Sequence, residues 1–143
     1  MIRIICGGKK NQDEYLSLIN EYEKRLRKPF DISWEFVEEE RLLERLDKWP
    51  YTGREFVICC DERGKNISSD EYSLLISNAF LDNRDVVILI GGAFGFTPEI
   101  REKADFVWSF SKLVFPHRLF RLMVVEQIYR AWEINRGSHY HHA

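Results

Sequence analysis

The 143-residue chain predicts one α/β domain, residues 1–143, with a mainly parallel sheet covered by helices on both faces. Three observations carry this. Short apolar runs of strand length alternate with amphipathic stretches at helical spacing along the whole chain. Parallel neighbours need a crossover of a dozen or more residues, and the spacing provides one each time. Two of the apolar runs stop at glycine pairs, Gly7-Gly8 and Gly91-Gly92, which punctuate strands. No internal repeat or linker divides the chain, and its length suits a single core.

In chain order, Arg3 to Cys6 reads as a β-branched strand halted by Gly7-Gly8. Tyr15, Leu18, Ile19, Tyr22 and Leu26 recur at helical spacing, so a helix is expected over Asp13 to Lys28, stopped by Pro29. Phe30 to Val37 alternates in part and reads as a second strand. Glu38 to Trp49 is a charged amphipathic helix ended by Pro50. Glu55 to Cys60 is a buried strand, with Asp61 to Gly64 as its turn. Ser69 to Leu81 is helical, with Ser68 or Ser69 as N-cap. Val86 to Ile90 is the most apolar strand. Thr97-Pro98-Glu99 starts a helix, with Thr97 capping and Pro98 first. Phe106 to Phe110 is a fifth strand. A loop, Ser111 to Pro116, leads into a long helix over His117 to Asn135.

Composition narrows the function classes. Hydrophobic residues make 45% and charged residues 31%, which fits an ordinary folded domain rather than a disordered one. The longest apolar stretch, Val86 to Phe96, is interrupted by three glycines and falls short of the ~20 residues that span a membrane. The first residues are too short in apolar character for a signal-peptide core. Three cysteines, two of them adjacent, make no disulfide framework, so a reducing, cytoplasmic location is expected. The net charge of −2 argues against a bulk nucleic-acid coat. It is uneven: residues 101–143 carry 7 basic against 4 acidic side chains, and all four histidines.

In open parallel sheets, ligands sit outside the C-terminal strand ends. The loops after Cys6, Cys60, Ile90 and Phe110 are therefore the places to look. Gly91, Gly92 and Gly95 let a ligand approach bare backbone, or form a ligand-free tight turn. They match neither a full dinucleotide fingerprint nor a P-loop. Loop 109–116 offers backbone groups for an adenine edge, with Leu113 and Phe115 for its faces; alternatively Leu113, Val114 and Phe115 plug the core. The last long helix is apolar on most of its circumference, which points to a subunit interface. Glu126, Arg130 and Glu133 form a stripe on it, readable as a solvated charge face. The tail from Arg136 reads as a tag or a weak metal binder, but no Cys or carboxylate cluster supports a metal site.

Taken in order, these segments become specific. Ile90-Gly91-Gly92 with Gly95 is followed by Ser109-Phe110-Ser111-Lys112. Phe115-Pro116-His117 follows, with Arg121 four residues on. Then come Glu126-Gln127, Tyr129-Arg130-Ala131-Trp132 and a terminal Tyr140-His141. This arrangement resembles the ribosomal RNA large subunit methyltransferase H family, of the SPOUT superfamily. The match is clearest from Asp85 to His141. It is looser at Cys59-Cys60-Asp61 with Gly64-Lys65, and at Gly7-Gly8-Lys9.

The resemblance implies methylation of the N3 of a pseudouridine in large-subunit ribosomal RNA, with S-adenosylmethionine as donor. It implies a homodimer and a C-terminal trefoil knot, which general topology rules would reject. The donor would be held by Cys60, Gly91 and the loop residues Phe110, Ser111, Lys112, Leu113, Val114 and Phe115. Family members often carry Leu at the place of Cys60, so an apolar or backbone contact is implied there. Tyr140 and His141 match the family's terminal pair, whereas His142 and Ala143 do not. Ala93-Phe94 stands where some members have Pro-Glu, which leaves Phe94 as a stacking partner for a base. His141 is the candidate base or orienter by its titration range, with Tyr140 beside it. Arg121, Arg130 and Arg136 are candidates for RNA phosphate contacts, and no metal is needed. Two rivals remain: a SPOUT enzyme acting on another RNA, and a non-catalytic flavodoxin-like module binding flavin or phosphate at Gly91-Gly92.

Overall fold

The computed structural model describes residues 1–10, 14–47, 54–92 and 95–142. Expectations touching Asp13, Trp49, Pro50, Ala93, Phe94 and Ala143 fall outside them.

Five strands form one sheet: β1 (Ile2–Gly7), β2 (Ile32–Val37), β3 (Glu55–Lys65), β4 (Asp85–Ile90) and β5 (Phe106–Trp108). The order is β2-β1-β4-β3-β5, and every pair is parallel. Ile4 pairs with Trp34 on one side and Ile88 on the other, and Ile88 pairs with Ile58. Helices cover both faces, as expected: α1 (Leu16–Glu23), α2 (Leu42–Asp47), α3 (Ser69–Leu81), α4 (Pro98–Lys103) and α5 (His117–Asn135).

The strand period of two divides the apolar residues between two cores. Ile4, Cys6, Ile58, Ile88 and Ile90 face α1, α3 and α5, packing with Ile19, Ile76 and Ile128. Ile5, Val57, Val87 and Leu89 face the other way, onto Leu42 and Leu46 of α2 and Ile100 of α4. A strand buried on both faces has no polar side to show, which is why β4 reads as an unbroken apolar run. Burial of each such side chain contributes roughly 1.5–3 kcal/mol.

Helix starts follow local chemistry. Ser68 accepts from Glu71 N at 3.1 Å, and Glu71 Oε1 accepts from Ser68 N at 3.3 Å, a reciprocal capping box for α3. Thr97 caps α4 through Ile100 N at 3.4 Å, with Pro98 in the first helical position.

Several boundaries differ from the sequence reading; β2, for one, begins at Ile32 rather than Phe30. Helix α1 stops at Glu23, well before Lys28. The residue preceding a proline avoids helical backbone, and Arg27 Nη1 bonds the freed carbonyls of Lys24 and Leu26, both at 2.9 Å. The stretch after β2 splits into a 3-10 turn, Glu39–Arg41, and the short α2. Strand β5 ends at Trp108 rather than Phe110. Strand β3 does not stop at Cys60: it runs to Lys65 through a bulge, so that Cys60 and Lys65 both pair with Trp108. Gly64 makes the return possible, because a Cβ there would fall inside the Val107 carbonyl.

Candidate functional site

The C-terminal ends of β3, β4 and β5 converge, with the 109–116 loop and the first turn of α5, on an open cleft of about 240 Å³. Its floor is Cys60, Ile90, Gly91 and Gly92; Gly95 and Trp108 flank it. The loop contributes Phe110, Ser111, Leu113, Val114 and Phe115, and α5 adds His117 and Phe120. Seven of the eight donor residues expected from sequence thus share one cavity. The eighth, Lys112, sits in the same loop but is exposed and does not line it.

The loop is held by its own polar groups. Asn66 Nδ2, just past the β3 bulge, donates to Ser109 O at 3.1 Å and Phe110 O at 3.0 Å. Ser109 Oγ donates to Ser111 O at 3.0 Å, and Leu113 N donates to Ser111 Oγ at 3.0 Å. Aromatic rings stack behind it, from Tyr72 to Trp108 (4.0 Å) to Phe110 (4.3 Å) to Phe120 (4.8 Å). Leu113 and Val114 are 70% and 83% exposed. The alternative in which they plug the core therefore fails: the loop spends its core contacts on Phe110 and leaves its tip outside.

Gly91 leaves no spare space on its inner side. A Cβ there would lie 3.2 Å from the Phe96 ring. Cys60 is buried, and burial raises its thiol well above the usual range. Cys6 and Cys59 are pushed up to about 11 and about 12, again chiefly by burial. These thiols stay protonated at neutral pH, so Cys60 offers an apolar wall rather than a thiolate.

Sequence reasoning missed Asp61, whose side chain is 2% exposed and lines the cleft. Its Oδ1 accepts from Arg63 N at 2.9 Å, and its Oδ2 lies 3.5 Å from Arg63 Nη1 and 3.8 Å from Arg101 Nη1. Arg101 also donates to Phe96 O at 2.7 Å, so this carboxylate ties the β3 bulge to the residues that back Gly91. The signal was available: Asp61 directly follows an apolar strand at its C-terminal end.

The tail lies elsewhere. Gly137, at φ +71°, reverses the chain after α5. Its N–H reaches Ile134 O at 3.0 Å, and Ser138 N reaches Glu133 O at 3.1 Å, a Schellman pairing. Tyr140 then packs edge-on against Tyr129 at 4.9 Å and donates to Glu126 Oε1 at 3.1 Å. Arg130 bonds Glu126 through Nη2 at 2.6 Å, lies 4.9 Å over the Tyr140 ring, and donates through Nη1 to His141 Nδ1 at 3.0 Å. His141 Nε2 faces Asp70 Oδ2 at 3.4 Å. Burial, then the Tyr22 contact, then the Glu126 charge raise the Tyr140 phenol above its ordinary range, so it acts as a donor. The Glu126-Arg130-Glu133 stripe is a partly buried anchor, not a solvated face; Glu133 itself is buried and accepts from Ser138 Oγ. Neither Tyr140 nor His141 lines the cleft.

The three arginines differ. Arg130 is committed as above. Arg136 lies 4.7 Å over Trp132 and 3.4 Å from Glu133. Arg121 stacks 5.1 Å over Phe36, and its buried Nε has no hydrogen-bond partner. Among the described residues no three metal-ligating side chains gather, and no helix is long and apolar enough to cross a membrane.

Comparison with known proteins agrees with this geometry. A family described as "Predicted SPOUT methyltransferase" matches residues 1–141. Curated relatives named "Ribosomal RNA large subunit methyltransferase H" are 36% identical over nearly the whole of both chains. That of Desulfitobacterium hafniense (strain Y51) covers 98% of each, and that of Caldicellulosiruptor bescii covers 99% of each. The relative of that name in Clostridium botulinum (strain Loch Maree / Type A3) is also 36% identical, covering 98% of each. With a glycine-floored cleft at the ends of a parallel sheet, and a family match from the first residue to His141, the chain belongs to the SPOUT methyltransferase family.

Proposed function

We propose that this protein transfers a methyl group from S-adenosylmethionine to the N3 of a pseudouridine in large-subunit ribosomal RNA. The carrying observation is the cleft, where three strand ends and the 109–116 loop meet over bare glycine backbone. The substrate named for the relatives is ribosomal RNA, and the assembled large subunit or ribosome is the form in which the protein meets it.

The cleft suits such a donor on three counts. Gly91, Gly92 and Gly95 line it with main chain, Leu113 and Phe115 provide apolar surface for an adenine, and loop 111–115 brings backbone groups to its edge. Cys60, Phe110, Ser111, Lys112 and Val114 complete the holding set. The donor supplies a methyl group already activated on a sulfonium. The protein's task is then alignment of the target nitrogen with that methyl, and such positioning contributes roughly 7–11 kcal/mol.

Tyr140 and His141 orient the RNA. His141 Nδ1 accepts from Arg130, which has only protons to give, so a neutral ring carries its proton on Nε2 beside Asp70. Arg121, Arg130 and Arg136 contact the RNA. The working form is a homodimer in the cytoplasm. Its contact uses the exposed loop tip Leu113-Val114 and a hollow between α1 and α5 lined by Leu18, Tyr22, Leu122 and Met123.

Calorimetry with S-adenosylhomocysteine tests the donor assignment. Saturable one-site binding is expected. Affinity for flavin or inorganic phosphate at Gly91-Gly92, with none for the nucleoside, would replace this reading with a non-catalytic binding module.

A further inference from the structure

A second set of groups crowds the same edge of the sheet, one strand over from the donor cleft. The ends of β2, β1 and β4 bring together Phe36, Gly7-Gly8 and Gly92. The Glu39 carboxylate lies directly on Gly92, where a Cβ would fall inside it, and a Cβ on Gly7 would lie 3.5 Å from Glu39 Cγ. From α5, Arg121 reaches into the same corner. Its guanidinium is 5.1 Å above the Phe36 ring, its Nη2 would lie 3.9 Å from a Cβ on Gly8, and its buried Nε has no partner. Gly92 therefore has the donor cleft on one side and a carboxylate on the other. Gly92 is thus common to the donor cleft and to this corner, which lies one strand spacing, about 4.8 Å, away.

The chemistry of the corner is specific. A uracil-type ring presents an N3–H between two carbonyl oxygens. A carboxylate accepts from the first, and a guanidinium donates to the second. We propose that this corner seats the target base, with Glu39 as the catalytic residue that takes the N3 proton and Arg121 as the donor to an adjacent carbonyl. The inference rests on the methyltransferase reading above and adds to it the base subsite and the proton acceptor. In the step, the N3–H bond breaks and its proton passes to a Glu39 oxygen. The N3–methyl bond forms as the methyl–sulfur bond breaks, and sulfur keeps that electron pair as a neutral thioether.

The test uses the full chain, large ribosomal subunits lacking the modification, and saturating S-adenosylmethionine. Glu39→Gln keeps the shape and a hydrogen-bond acceptor but takes no proton. Its kcat should fall by at least about 10²-fold, the lower end for a lost general base, with KM for subunits and affinity for S-adenosylhomocysteine within about twofold. Glu39→Asp should recover part of the loss, and Arg121→Ala should raise KM. Wild-type kcat in Glu39→Gln would overturn the proposal. So would a parallel loss of donor affinity, which would make Glu39 a support of the cleft. A wild-type protein that binds no S-adenosylhomocysteine would strike the functional reading itself, a result visible before any variant is made.

Discussion

At the strand ends, the walls are backbone and apolar side chains: Gly91, Gly92, Cys60, and a loop whose tip, Leu113-Val114, stands in solvent. At the tail, the contacts run through charge, hydroxyl and ring faces: Glu126, Arg130, Tyr140, His141 and Asp70. The first region offers shape and close approach, which suit the donor proposed for it. The second is a polar network centred on Arg130. On the proposed function, donor binding and RNA engagement are then separable, since no described side chain of the tail lines the cleft.

Removing Tyr140 to Ala143 gives the sharpest separation. Methyl transfer should fall by about 10²-fold, the scale of a mispositioned substrate, while affinity for S-adenosylhomocysteine stays unchanged; a matching loss of both would merge the two regions. A chain end of this kind ordinarily frays unless it docks. The Tyr140 ring is docked, and Tyr140→Ala should cost about 1–2 kcal/mol in denaturant melts, in line with an aromatic pair and partial burial.

Gly91→Val probes the other side. A Cβ at Gly91 already lies 3.2 Å from the Phe96 ring, so a branched side chain there must displace that ring or the cleft wall that Gly91 forms. Donor affinity should drop tenfold or more, about 1.4 kcal/mol, by calorimetry on the folded variant. Unchanged affinity would place the donor elsewhere.

Alkaline titration should touch the sheet core beneath the cleft and the tail. Cys6 and Cys59 hold their protons up to about 11 and about 12, against an ordinary 9.0, and the Tyr140 phenol is raised as well. Above pH 9 the folded state binds more protons than the unfolded one, so stability falls as pH rises. The contribution is complete below pH 9 and is lost as pH climbs through 11 to 12. A melting temperature flat from pH 9 to 11 would contradict the burial of these thiols.

The smallest effect is Arg130→Lys. It keeps the charge but loses the forked contact to Glu126 and His141. A few-fold loss of transfer with unchanged donor binding is expected in single-turnover assays.

Much of this was legible in the residues. The apolar runs of β1, β3 and β4 announced buried parallel strands, and Ser68 with Glu71 announced a helix start. The glycine pairs marked the edge where the cleft lies. What stayed hidden depends on partners far apart in sequence. The β3 bulge follows from Gly64 meeting Val107, and Asp61 acquires its role only through Arg101. Glu39 sits on Gly92 because β1 lies beside β4. The tail's return was within reach, since Gly137 follows a helix end, but its landing on Tyr129 was not. The trefoil knot came from family likeness alone, because periodicity carries no threading information.

The most direct test is nucleoside mass mapping. Purified protein, S-adenosylmethionine carrying a labelled methyl group, and large ribosomal subunits lacking the modification should yield a single new product, N3-methylpseudouridine in large-subunit RNA. Label on any other nucleoside, or none in a preparation that binds S-adenosylhomocysteine, would contradict the account.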